Sequence, residues 1–515
     1  MKPLPGATSL LTWLLVATLS LAGSGCAAFR SYKAEMDKTI ALASAGDVDG
    51  AIKVLDSNNK SKDKDLLYDM ESGELRRLKG DFQGSQVALT SADAKVQAWE
   101  EASKLNAART GGSVGSYLVN DKVRTYEGHD YEKVMVTTLM AMNRMDLGDW
   151  DTARVDIKRT HEREAMIQAL REDEYLKVTE EARKKGARQS FKELNGYPVQ
   201  TIDNPEVNAL KNGYQNALSH YLAGFVYEAL GEPSLAAPGY RTAIELRPGQ
   251  GMLEDSLGGL DARLAAKDEG YCDVLFVIET GVIPGRASQS FNLPIPVGPQ
   301  GRWIFISASF PTMPAVAPYN PPSVRIDKDL DVRTAHVLDL DSMARRTLKD
   351  DMPGIMLRAF IRLSSRAVAQ YQMQEQIAQQ QRKGQDTLGM SLGLLALQLG
   401  GAVTEQADER GWRTLPAHVT VARARLSRGQ HNIDISTGHG RATFDVNLAG
   451  PHALVTARLL GGRPFTTPAA SPGMPAAPLP AGSKSVAAPG ADAVQVSVVN
   501  FDYPVAVSTP RRTLP

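Results

Sequence analysis

Few residues of this 515-residue chain stand at spacings that do chemistry. "GGSVG", Gly111 to Gly115, has the G-x-S-x-G spacing around a candidate nucleophile, Ser113. That arrangement needs a strand before the serine and a helix after it, so that a strained turn presents the hydroxyl. Here the preceding "AWEEASKLNAAR" has a helical pattern, and the stretch reads as a loop. "HEREA" begins as an H-E-x-x-H helix would, but Ala165 stands where the second metal-binding histidine is needed. Of the eight histidines, His418, His431 and His439 gather around one predicted strand pair, without cysteine or paired carboxylates at ligand spacing. Neither G-x-x-x-x-G-K-S/T nor G-x-G-x-x-G occurs, so no nucleotide site is indicated. The sequence thus names no catalytic residue, no metal site and no cofactor.

Composition narrows the classes further. With 58 basic against 58 acidic residues there is no global field to steer a polyanion, which argues against nucleic acid as a partner. Two cysteines, Cys26 and Cys272, rule out a disulfide framework. Cys272, inside "YCDVLFVI", reads as a buried small hydrophobe rather than a nucleophile.

The elements that organise the first half are Gly-Asp pairs. Gly46 to Gly80 is 34 residues, and Gly80 to Gly148 is twice that. Each glycine suits a helix end that needs positive φ, and each following aspartate can cap the next helix. After each pair a small residue precedes a large one by one turn: Ala51 and Leu55, Ser85 and Leu89, Ala153 and Ile157. The fullest unit is "HYLAGFVYEALGEPSLAAPGYRTAIELRP", with Ala223-Gly224, Tyr227, Gly231, Ala236, Tyr240, Ala243 and Pro248 in tetratricopeptide order. Insertions interrupt the period. One, Lys158 to Lys192, has mixed charges at helical spacing and suggests an elongated solvated helix; another, "NAARTGGSVGSYLVNDKVRTYEGHDYEK", suggests a loop over the stack.

The N-terminus has Lys2, an apolar core "LLTWLLVATLSL" from Leu10 to Leu21, and small residues ending in "AGSGC". The core is short for a membrane span and fits an export signal. A cysteine at this place resembles the lipobox of bacterial lipoproteins, which implies cleavage after residue 25 and acylation of Cys26, although Gly23 stands where a larger aliphatic residue is usual. Ala27 and Ala28 in place of an aspartate resemble the outer-membrane sorting pattern.

From Tyr271 the period changes. "CDVLFVIETG", "RWIFISASF", "SVRIDKD" and "VRTAHVLDL" read as short strands, and "AHVTVARARL", "QHNIDIS", "ATFDVNL" and "ALVTARLL" as a later group. Between them, at about 341–410, lies a long helical hairpin whose Gly-rich arm, Thr387 to Val403, reads as a buried helix packed on its partner. In "DERGWRTLP", Arg410, Trp412 and Arg413 read as a packed corner. The Pro, Ala, Gly and Ser of 461–492 read as an exposed linker without a core, before a strand-like 493–515. The expected architecture is α+β. Residues 1–25 are a signal, 26–265 an all-α tetratricopeptide-like solenoid, and 270–460 a mixed β domain carrying the hairpin.

The acylation site, "YEKVMVTTLMAMNRMDLGDWDTARVDIKR" and "ADERGWRTLPAHVTVARARL" together resemble uncharacterised Gram-negative outer-membrane lipoproteins with N-terminal repeats. The resemblance implies a role in the cell envelope and no particular activity. The expected function is a periplasm-facing, lipid-tethered scaffold, not an enzyme, whose concave helical surface binds a protein or peptide partner. Met135, Thr138, Met142, Met145, Leu218, Tyr221 and Phe225 are the residues expected to line that groove. The alternatives are an envelope hydrolase with its site in the β domain and a membrane-associated oligomer formed through the Gly-rich hairpin.

Overall fold

A computed structural model describes residues 32–108, 125–187, 190–266, 270–298, 302–384, 387–392, 394, 406–438 and 440–476. The expected signal, Cys26 and the Ser113 loop lie outside the described residues. Helices come first, in antiparallel pairs: α1 (Tyr32–Ser44) with α2 (Val48–Asn58), α3 (Leu66–Leu78) with α4 (Phe82–Ala108), and α5 (Asp130–Asp146) with α6 (Trp150–Lys185). After the short α7 (Pro205–Ala209) come α8 (Ala217–Ala229) with α9 (Pro233–Leu246), then α10 (Gly251–Gly258) and α11 (Leu260–Ala265).

The hinges are built as their residue types require. Gly46, Gly80, Gly148 and Gly231 have φ of 89°, 80°, 76° and 75°. The carboxylates of Asp47, Asp81 and Asp149 accept the amide N–H of Gly50, Gly84 and Thr152, capping the second helix of each pair. Ala51, Leu55, Ser85, Leu89, Ala153, Ile157, Ala236 and Tyr240 are all buried on the predicted faces. At Gly224 a Cβ would stand 2.5 Å from the Tyr240 ring, so α8 and α9 approach this closely only with glycine there.

Helix α6 runs unbroken for 36 residues, as the charged stretch suggested. Its first half is packed, with Arg163, Glu164 and Ile167 buried, while Tyr175 and Leu176 farther along are exposed.

A five-stranded sheet follows, in the order β11 (Arg463–Thr466), β10 (His452–Leu460), β1 (Tyr271–Thr280), β7 (His418–Ser427), β6 (Thr334–Asp339). Strand β1 runs parallel to β10 and antiparallel to β7. A second sheet has the order β5 (Leu330–Val332), β4 (Ser323–Ile326), β8 (Gly429–Thr437), β9 (Gly440–Leu448). The pair β2 (Ala287–Val297) and β3 (Arg302–Thr312) forms a separate hairpin, packed against the 43-residue α12 (Leu340–Arg382).

Strand β1 explains the layering. Its even residues Cys272, Val274, Phe276 and Ile278 pack on Val324, Ile326, Ile433 and Ile435 of the second sheet. Its odd residues Leu275 and Val277 join a core that continues through α3, α5 and α8. A strand covered on both faces reads as a continuous apolar run, which is what its sequence shows. The five-stranded sheet is therefore the middle layer between helices and second sheet. Among the described residues no helix is long and apolar enough to cross a membrane.

Three expectations are corrected here. The groove residues Met135, Thr138, Met142, Met145, Leu218, Tyr221 and Phe225 are all buried, each 1% exposed or less, because the middle sheet and the segment after α12 cover the inner helices. Within the Gly-rich arm, Leu388 and Leu392 are exposed and no described atom lies within 4 Å of a Cβ at Gly389, so 388–392 is not the buried helix expected. The rest of that arm, 395–403, lies outside the described residues, as does 477–515.

The third correction concerns the linker. It is ordered from its start to residue 476: β11 pairs with β10, Ala470 and Ser471 are buried, and the chain docks on the α5–α6 hinge. There the amide of Gly473 donates to the Gly148 carbonyl and that of Ala476 to the Asp146 carbonyl, each at 2.8 Å. A Cβ at position 148 would stand 2.7 Å from the Pro475 nitrogen. Gly148→Ala is accordingly expected to cost about 1–2 kcal/mol through its positive φ alone, and to free 470–476. Thermal denaturation and limited proteolysis read both effects.

Candidate anion-binding cavity

The inner face of the helices grips an extended strip of the chain itself. Glu71 on α3 accepts the amide N–H of Arg413 (2.7 Å) and of Thr414 (3.1 Å) and the Thr414 hydroxyl (2.5 Å), and the Tyr32 hydroxyl from α1 (2.7 Å). Glu132 on α5 accepts the amide of Trp412 (2.7 Å), the Tyr126 hydroxyl (2.5 Å) and the amide of His129 (2.9 Å). Trp412 is fully buried. The packed corner foreseen at 410–413 is thus a peptide bound in cis by two carboxylates. Burial pushes Glu71 up to about 7 against the pull of its donors, and raises Glu132 as well.

Beside this clasp lies a cavity of about 270 Å³. Separate segments wall it: Trp99 of α4, the 125–133 entry into α5, mid-α6, Arg286 between β1 and β2, Ser309 and Pro311 of β3, and Arg358 and Arg362 of α12, with 406–410 completing the rim. The basic groups are Lys133, Arg171, Arg286, Arg358, Arg362 and Arg410. The acids on the wall are engaged. Asp130 takes Arg171 (2.5 Å) and Lys133 (3.2 Å), Asp351 takes Arg171 (2.8 Å), Asp408 forks onto Arg410 (2.8 and 2.7 Å), and Glu127 accepts from Trp99 (3.1 Å). Burial alone would raise Asp130, but Arg171 and Lys133 outweigh it and hold the carboxyl at about 2.

Arg286 differs from the rest. It is 7% exposed, and its Nη2 is buried with no hydrogen-bond partner among the described residues. His129 stands nearby, held well below its usual pKa by burial and by the Arg286 charge, and so neutral. Its Nε2 faces the Arg410 carbonyl at 3.3 Å, a contact that puts the ring proton on that nitrogen and leaves Nδ1 with a lone pair. A desolvated guanidinium beside a neutral imidazole is a site completed by an oxyanion, which supplies the missing charge and acceptors together.

A second polar cluster is closed to solvent. Arg77 on α3 forks onto Glu279 of β1 at 2.9 Å, with Glu74, Asp146 and Arg458 around them, all buried. Both Asp146 carboxylate oxygens lack a partner among the described residues. Burial, with Glu279 adding to it against the pull of Arg77, pushes Asp146 up to about 7, and Glu74 also stands near 7. A carboxyl raised in the folded state stabilises fully below its unfolded pKa and loses that contribution as pH rises through the folded value. Stability is therefore expected to fall between about pH 4 and pH 7, and Asp146→Asn to flatten that fall. A displacement of this size is worth at most about 4 kcal/mol, and urea midpoints across the pH range measure it.

The three histidines near the predicted strand pair have separate surroundings where they are described. His431 Nδ1 bonds Asp327 at 2.7 Å, His439 lies outside the described residues, and His418 faces other neighbours. The cavity residues carry no motif, because they come together from positions far apart; the one local hint is a charged Arg286 directly after a largely apolar strand and a "GVIPG" turn. The chain matches no protein-family model, no curated protein and no solved structure.

Proposed function

We propose that this chain is an envelope lipoprotein, held at the periplasmic face of the outer membrane through acylated Cys26, that binds a small carboxylate- or phosphate-bearing ligand in the cavity at Arg286. On this reading the helix pairs are a tetratricopeptide-like array whose inner face is occupied by the chain's own sheet and Trp412 strip. The partner expected along that face is thereby supplied in cis. Binding moves to the rim, where solvent still enters. The observation that carries the reading is the buried Arg286 on the cavity wall, whose Nη2 has no hydrogen-bond partner among the described residues.

Several acyl chains, at about 0.8 kcal/mol per buried CH₂, make a tether of this kind effectively permanent. The cavity then works on a body fixed at the membrane. Differential scanning fluorimetry with inorganic phosphate, pyrophosphate and citrate at low ionic strength tests the binding role. At least one anion should raise the melting temperature of the wild type and leave Arg286→Gln unmoved. A panel that moves neither protein counts against the reading.

A further inference from the structure

We infer that His336, Asp339 and His418 form a binding site for a zinc-class divalent ion on the edge of the middle sheet. The register creates it. Strand β6 pairs with β7 so that His336 lies opposite Thr420, Leu338 opposite Val419 and Asp339 opposite His418, with a bulge between His336 and Leu338. Without the bulge, residues three apart on a strand point to opposite faces; the extra residue resets the alternation. His336 and Asp339 therefore share the face of His418 and Thr420.

The side chains converge. One ligand atom from each of the three lies within 4.8 Å of the others, and His418 Nδ1 is 3.6 Å from Asp339 Oδ1. Ligand atoms bound to one zinc ion at about 2.0–2.2 Å are separated by roughly 3.3 Å, so small rotamer changes close the site. His336 Nε2 and His418 Nδ1 are both buried without a hydrogen-bond partner among the described residues. Asp339 is oriented by the helix it caps, accepting the Ser342 amide at 2.8 Å and hydroxyl at 2.9 Å. Tyr319 packs against both imidazoles, tilted on His336 and stacked on His418, at 4.3 and 4.0 Å between ring centres. Two imidazoles and one carboxylate leave a fourth position for water or substrate.

The other three-residue cluster, Glu228, Asp273 and His452, is different. There Arg423 and Arg263 already occupy the carboxylates, at 2.5 to 2.7 Å. At the β6–β7 site the opposing cation is Arg247, whose Nη2 is 3.5 Å from His336 Nδ1. Zinc takes both rings as neutral imidazoles. Arg247 weakens the site by charge and by competing for the ring tautomer.

Competition titration of Zn²⁺ against a chromophoric chelator, using the detergent-solubilised full chain, tests the site. One equivalent is expected, with affinity at least tenfold lower in His336→Ala and in His418→Ala, and lower in Asp339→Asn, which can still cap α12. His431→Ala should bind as the wild type, and Arg247→Gln should bind more tightly. Co²⁺ added to the unaltered chain should give the intense visible bands of a tetrahedral site, a readout independent of whether any variant folds. Weak octahedral Co²⁺ bands only, or a Zn²⁺ affinity the three ligand substitutions leave unchanged, would overturn the assignment.

Discussion

Replacing Glu71 by alanine is expected to destabilise the protein by roughly 3–6 kcal/mol, since each buried donor left without an acceptor costs about 1–3 kcal/mol. Two amides, at Arg413 and Thr414, and the Thr414 hydroxyl lose their acceptor at once, while the Tyr32 hydroxyl keeps the Gly411 carbonyl at 2.6 Å. Glu71→Gln keeps one acceptor oxygen and should cost less. Urea denaturation gives the free energy, and hydrogen exchange at the 413 and 414 amides reports the clasp directly. In the wild type these amides should rank with the slowest in the chain. Fast exchange there, or a loss below 1 kcal/mol in Glu71→Ala, would mean that the strip is not held by this carboxylate.

The second large effect is expected at Arg77. Its guanidinium and the Glu279 carboxylate are both nearly inaccessible, at 4% and 1% side-chain exposure. Removing one member of such a pair leaves a buried charge without compensation, which typically costs about 3–5 kcal/mol, whereas replacing both by apolar groups can be close to neutral. Arg77→Ala should therefore unfold at much lower denaturant, and Arg77→Met combined with Glu279→Leu should recover most of the loss. The remaining Arg458 still faces Glu74, so the double variant keeps that charge compensated. Equal losses in the single and double variants would show that packing, not charge, sets the cost.

What the sequence made legible was local. A glycine at positive φ followed by a capping aspartate is decided within a few residues, and Gly46, Gly80 and Gly148 behave as read. The apolar run of β1 likewise announced burial on both faces. It could not say what covers each face, because Asp273 and Glu279 find their cations on β7 and α3. The seven groove residues were read as inward-facing correctly and as open wrongly: Glu132 meets the Trp412 amide across 280 residues, a pairing that no periodicity encodes.

Composition misled at 461–476, where Pro, Ala and Gly suit a solvated linker. The docking of that stretch rests on backbone donors meeting hinge carbonyls at Asp146 and Gly148, and those groups are the same for every residue type but proline. The cavity was invisible for a related reason. Its basic groups are unremarkable one by one, and only the fold brings Arg286 to His129 while engaging the acids elsewhere.

A crystal structure of the chain grown with selenate tests the anion site most directly, because selenium marks the anion by its own anomalous signal. The expected result is an anomalous peak within hydrogen-bond distance of Arg286 Nη2, inside the cavity, that disappears in Arg286→Gln. Selenate found only on exposed lysines and arginines, with the cavity empty, would contradict it.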